Sequence, residues 1–172
     1  MWSPEKIDEK FLKQLRFCQL NFSNSQYLDP THKLRNFRFK VYLVDVGLLG
    51  AMAGLSPKTV LHQNELFQEF RGALTENFVA EELTRSHFAL YYWTSKGKAE
   101  LDFLIQFEEI ILPTEVKSGT STKKKSLKTY ENTYCPPLTI RTSPMNLKKD
   151  GTVLNCPLYL LDRLRNLLAK NL

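Results

Sequence analysis

Cysteine is scarce in this chain of 172 residues, and the three that occur, Cys18, Cys135 and Cys156, are odd in number and far apart. Neither a disulfide framework nor a CxxC zinc pair can be built locally, which makes a reducing cytoplasm the expected home. His32, His62 and His87 are equally scattered, with no HExxH and no Ser/His/Asp order, so zinc and serine hydrolase chemistry drop out. None of the seven glycines builds a GxxxxGK[ST] or GxGxxG loop. The backbone N–H cradles that hold nucleotide phosphates in ATP and NAD sites are therefore missing. No run approaches the roughly 18 apolar residues of a membrane span. Met1-Trp2-Ser3-Pro4-Glu5-Lys6 has no apolar segment of signal-peptide type, so neither secretion nor membrane contact is expected.

What the chain does have is apolar material, 42% of its residues, enough for one packed domain plus an appendage at this length. Lys and Arg exceed Asp and Glu by 24 to 18. From Glu115 to Asp150 there are eight basic residues (Lys117, Lys123, Lys124, Lys125, Lys128, Arg141, Lys148, Lys149) against three acids, so most of the surplus sits there. Such a patch suits a polyanion, because each cation that neutralises a phosphate releases counterions. It also suits a plain solvated lysine face.

Ser3-Pro4-Glu5 reads as a helix start, followed by Ile7, Phe11, Leu15 and Cys18 on one helical face. Asn21 to Asn36 reads as a connector, which makes residues 1–36 an appendage or the remnant of something larger, and 37–172 the domain. Phe37 to Val44 alternates as a strand, and Asp45 can cap a short helix through Leu48 and Leu49. Asn64 to Thr84 is a long helix with one stripe of Phe67, Phe70, Leu74 and Phe78 and a second side of Gly72, Val79, Ala80 and Leu83, as expected of a helix covered on two sides. Phe88 to Thr94, Glu100 to Phe107 and Glu109 to Val116 are three β runs with hairpin-length separations. Then come a basic helix from Lys123 to Tyr134, a strand from Pro137 to Arg141, and a strand near Leu158 to Leu161 leading through Asp162 as N-cap into a closing helix.

The sharpest chemistry lies in Glu100-Leu101-Asp102-Phe103-Leu104-Ile105 and Pro113-Thr114-Glu115-Val116-Lys117-Ser118-Gly119. Period 2 puts Asp102 on a face with Leu104, while Leu101, Phe103 and Ile105 point the other way. Glu115 and Lys117 share a face of the next strand, and a hairpin in the right register brings that face beside Asp102. Two carboxylates pressed together repel, which a divalent cation such as Mg²⁺ relieves, and a lysine beside them can stabilise charge on a phosphate. An inert ladder of ion pairs across the hairpin uses the same residues.

Asp102 followed by Glu115-Val116-Lys117 resembles the D...(D/E)xK signature of the restriction-endonuclease-like, PD-(D/E)XK superfamily, and the order of expected elements resembles its αβββαβ core, an α/β fold with a mixed sheet flanked by helices. Lys40 to Leu49, Glu76 to Leu83, Tyr92-Trp93, Glu100 to Ile105 and Glu115 to Gly119 further resemble the uncharacterised C-terminal domain of prokaryotic AAA-type ATPases, from about Lys40 to Asp162. The superfamily resemblance implies Asp102, Glu115 and Lys117 as the catalytic centre, Glu76 on the first core helix as a fourth member, and Mg²⁺ on Asp102, Glu115 and Glu76. Helical spacing puts Glu76 on a stripe with Glu65, Glu69 and Leu83; the acids argue for a wet face, Gly72 and Ala80 for close approach by the sheet. No proline precedes Asp102 at the signature's first position.

The residues ahead of Lys40 are too few for a nucleotide-binding domain, which leaves open a fragment, a remnant of a decayed gene or a stand-alone module. Two functions stand side by side. One is a nuclease-like domain that binds nucleic acid through Lys123, Lys124, Lys125 and Lys128 and cleaves phosphodiesters with Mg²⁺. The other is a non-catalytic DNA-binding or protein-interaction module that works with an AAA-type ATPase or pairs two copies as a homodimer. Since no phosphate-cradling loop is present, the purified chain is expected to show no ATP hydrolysis in a phosphate-release assay. Turnover that stays with the chain through repeated purification would overturn this.

Overall fold

A computed structural model describes residues 18–21, 40–62, 65–95, 99–120 and 125–172. The expected helix from Ser3 and most of the connector lie outside these residues, but Cys18–Asn21 is a strand, β1, where the sequence placed Cys18 on a helix. It pairs antiparallel with β2, Lys40–Leu43, through Cys18↔Leu43 to Asn21↔Lys40. Four residues of the expected appendage are thus hydrogen-bonded to the domain.

Asp45 caps α1 (Val46–Met52) as expected, its carboxylate accepting the Leu48 N–H at 2.8 Å. After α2 (Pro57–His62) comes the long α3 (Glu65–Arg85), then β3 (Leu90–Thr94), β4 (Glu100–Phe107), β5 (Ile110–Val116), α4 (Lys125–Tyr134) and β6 (Thr139–Ser143). The helix, three strands, helix, strand order is as read from the sequence. β3, β4 and β5 form an antiparallel meander, and Glu108-Glu109 closes the β4–β5 hairpin with Glu108 at φ 54°. β5 and β6 are parallel, which requires a crossover, and α4 supplies it. The architecture is mixed α/β: a six-stranded sheet in the order β3-β4-β5-β6-β8-β7, flanked by helices, beside the small β1–β2 sheet.

The chain after β6 departs from expectation. β7 (Lys148–Asp150) and β8 (Val153–Pro157) form a hairpin turning at Gly151, φ +60°. All three residues of β7 are exposed and Asn155 interrupts β8, so neither strand shows an apolar alternation. Leu158–Arg163 is a 3-10 helix, not a strand, and α5 (Leu164–Asn171) starts from Arg163 without a side-chain cap, so Asp162 is no N-cap. Leu161, Leu164 and Leu168 are buried at helical spacing there, and that apolar face outweighs the missing cap.

Two apolar clusters hold the sheet. Val79, Ala80 and Leu83 of α3 pack with Tyr42, Phe103, Ile105, Leu112, Ile140, Leu154 and the three C-terminal leucines. Leu127 and Tyr130 of α4 pack with Leu101, Trp93 and Leu104. Leu104 lies between Phe103 and Ile105 in a period-2 strand, so the two clusters occupy opposite faces. Leu101, however, stands with Leu104 and not with Phe103. The cause is a β-bulge: β3 pairs Tyr91↔Leu104 and Trp93↔Leu101, so Tyr92 alone opposes both Asp102 and Phe103. Gly72 is exposed with nothing near it, so the close approach expected there does not occur. Among the described residues no helix is long and apolar enough to cross a membrane.

α3 is fastened to β2 by Asn77, whose amide is buried and bonds both backbone groups of Leu43, accepting from its N–H at 2.7 Å and donating to its carbonyl at 3.1 Å. Asn77→Ala leaves both unpaired and is expected to cost about 1–3 kcal/mol, read as a lower urea midpoint at constant m-value. A midpoint equal to wild type would show that water replaces the clamp freely.

Candidate active site

The site forms where β4 and β5 part. Their ladder ends at Phe103↔Thr114, one pair short of Asp102 and Glu115. The next N–H of β5 directed toward β4, that of Val116, is accepted by Asp102 Oδ2 at 2.7 Å. The bulge has therefore taken Asp102 out of the alternation that the sequence suggested. Leu104 packs around α4, whereas the Asp102 carboxylate meets groups from β2 and α3.

Those groups include two that sequence reasoning missed. Lys40 of β2 reaches Glu76 Oε1 and Glu100 Oε1, each at 3.0 Å, and Asp102 Oδ1 at 3.9 Å. The Tyr42 hydroxyl donates to the same Glu76 oxygen at 2.6 Å. Glu76 thus faces the site, on the side of α3 that carries Asn77 and Ala80. Glu115 is followed two residues later by Lys117, and the two side chains pair with each other. Glu115 is only 9% exposed, and its Oε2 is buried with no hydrogen-bond partner. Arg141, in register with Glu115 on the parallel neighbour, is also buried; it donates from Nε to Asn155 Oδ1 at 2.9 Å, and its Nη1 has no partner. Arg141 is therefore no part of the basic surface to which the sequence assigned it.

The electrostatics follow from burial. Asp102 is pushed up to about 7, first by desolvation and then by the charge of Glu76, with a smaller push from Glu115; the Val116 N–H and Lys40 work the other way. Burial works to lower the Lys40 ammonium, and Glu76, Asp102 and Glu100 outweigh it, holding it above its ordinary value. Tyr42 is raised by burial and by Glu76, so its hydroxyl stays a donor. Around Lys40, three carboxylates (Glu76, Glu100, Asp102) face one ammonium, a formal excess of two negative charges in a partly buried space.

Among the described residues no three His, Cys, Asp or Glu side chains converge into a ready cage for a metal ion. Mg²⁺ needs no such cage, since one or two carboxylates and several waters suffice. The unpartnered Glu115 Oε2 and the loosely paired Asp102 Oδ1 are oxygens of the right kind, and the excess negative charge fits a divalent cation. Of the residues expected to meet nucleic acid, Lys125 and Lys128 are exposed on α4, and Lys123 and Lys124 lie outside the described residues. Lys148 and Lys149 are exposed on the edge strand β7.

The model of a family described as a domain of unknown function (DUF4143) matches residues 71–159, a span that includes Glu76, Asp102, Glu115 and Lys117. No curated protein and no solved structure matches the chain.

The Asp102 environment has a consequence for stability. Between the ordinary aspartate range near 4 and about 7, the folded chain keeps a proton that the unfolded chain has released. Stability contributed by this group is therefore present at low pH and falls as pH rises through that window. Without divalent metal, Asp102→Asn is expected to flatten the decline in Tm from about pH 4.5 to about 7.5. A decline that persists unchanged in the variant would assign the titration to another group.

Proposed function

The chain belongs to the DUF4143 family, and we propose that within it this chain is a nuclease-like domain of restriction-endonuclease-like, PD-(D/E)XK architecture that engages nucleic acid and cleaves phosphodiester bonds with Mg²⁺. The observation that carries this reading lies where the hairpin opens: Asp102 stands within reach of the charges of Glu76 and Glu115, and Glu115 pairs with Lys117. The order α3-β3-β4-β5-α4-β6, with the third strand parallel to the fourth, supports the same fold.

Asp102 and Glu115 would hold the ion, with Glu76 at the side. When bound, Mg²⁺ supplies a Lewis acid for the phosphoryl oxygen and an acidified water. The chain's own groups do the positioning. The Val116 N–H fixes one oxygen of Asp102, and the Tyr42 hydroxyl fixes one oxygen of Glu76. Lys117 carries an ammonium 24% exposed beside Glu115, placed to stabilise negative charge that builds on a phosphate in the transition state. Lys125 and Lys128 give the polyanion a sequence-independent purchase that weakens with salt.

A second reading, a non-catalytic module that docks on a partner such as an AAA-type ATPase, is favoured by one observation. No residue of α1 is buried, and Val44, Leu48 and Met52 expose 41–52% of their surface.

Nicking of supercoiled plasmid separates the two. The wild-type chain is expected to nick with Mg²⁺ or Mn²⁺ and not with EDTA, and Glu115→Gln to lower the rate by at least about 100-fold. Mg²⁺ should also raise the wild-type Tm, and Asp102→Asn should abolish the rise. Nicking that Glu115→Gln leaves intact would assign the activity to a contaminant, and a wild-type chain that neither nicks nor responds to Mg²⁺ leaves the docking module.

A further inference from the structure

Resting on the reading of a divalent-cation centre, we propose that Lys40 is the built-in counter-ion of the site: with no metal bound its ammonium neutralises Glu76, Glu100 and Asp102, and a divalent ion held on Asp102 and Glu115, with Glu76 at the side, displaces it from Asp102 and Glu76. The geometry is that of a hub. One nitrogen lies 3.0 Å from two carboxylates and 3.9 Å from a third, on side chains from α3 and β4. Lys40 itself comes from β2, in a separate two-stranded sheet, which Asn77 clamps to α3 at Leu43 and Tyr42 seats on Phe103 with ring centroids 5.5 Å apart.

The charge arithmetic gives the displacement its direction. A single ammonium cannot balance three carboxylates, whereas a divalent ion brings twice the charge and binds carboxylate oxygens at shorter range. Lysine suits the part of a removable ion. It is a hydrated point charge on a flexible four-carbon stem, and this one is already 22% exposed. Its departure need not disorder the site, because the Tyr42 hydroxyl keeps its own 2.6 Å bond to Glu76 Oε1, and the Val116 N–H keeps Asp102 Oδ2. A lysine present only to fasten β2 would stay in place whatever the metal concentration.

The test reads the lysine directly. The wild-type chain is acetylated with a limiting amine-reactive ester at rising Mn²⁺, and labelling of Lys40 is followed by mass spectrometry against exposed Lys148. Labelling of Lys40 is expected to rise severalfold with Mn²⁺ while that of Lys148 stays level, saturating where calorimetry places Mn²⁺ binding. Lys40→Met, checked for folding by circular dichroism, is expected to bind Mn²⁺ at least about tenfold tighter. If that variant does not fold, Lys40→Arg serves, since a fork that pairs two carboxylates at once is expected to weaken Mn²⁺ binding. Binding seen only in Lys40→Met also supports the proposal. Mn²⁺ binding by the wild type with labelling and affinity indifferent to Lys40 overturns it and leaves the cation centre standing. No Mn²⁺ binding by the wild type or the variants removes both.

Discussion

The bond from the Val116 N–H to the Asp102 carboxylate is the constraint on which the rest of the site depends. A β5 backbone donor beyond the last ladder pair needs an acceptor, and the bulge opposite Tyr92 supplies a side chain in place of a carbonyl. That exchange opens the hairpin and turns Asp102 toward α3. Beside it, the period-2 alternation of β5 sends Leu112 and Val116 to the apolar cluster under α3, so Glu115 and Lys117 lie on the opposite face. A straight ladder would have kept Asp102 in step with Leu104, against α4 and away from Glu76.

The cost of this arrangement is electrostatic. Burial raises Asp102 and opposes the charge on Lys40, and three acids share that one ammonium. The sheet beyond β5 continues the polar theme: Glu115, Arg141 and Asn155 stand in register across β5, β6 and β8, and Ser143 donates to the same Asn155 oxygen as Arg141. Buried donors and acceptors left unpaired are rare and unfavourable, so the free Glu115 Oε2 and Arg141 Nη1 are a cost that this row carries. α3 makes such a row affordable, because its buried Val79, Ala80 and Leu83 and the C-terminal leucines supply the apolar burial on the other face.

The local features were legible from local chemistry. Asp45 announced its helix by the capping side chain, α3 by length and periodicity, and the β4–β5 hairpin by alternation on either side of one polar break. The pairing of Asp102 with the Glu115-Val116-Lys117 strand could be read because hairpin register links residues only a few positions from one turn. The C-terminal hairpin was not legible, since Lys148 and Lys149 mark an exposed edge by charge, not by an apolar pattern.

What the sequence alone determined about this protein is therefore the elements from α3 to β6, their order, and the presence of two acids and a lysine on adjoining segments. The tertiary structure decided which other groups join them. Lys40 and Glu76 are 36 residues apart, Tyr42 and Glu76 are 34, and neither pairing follows from helix or strand periodicity. The bulge that aims Asp102, the burial that turns Arg141 from a surface cation into a core donor, and the raised Asp102 were decided there as well. Each depends on how much water and how much foreign charge the folded chain leaves around a group, and those quantities exist only once distant segments are packed together.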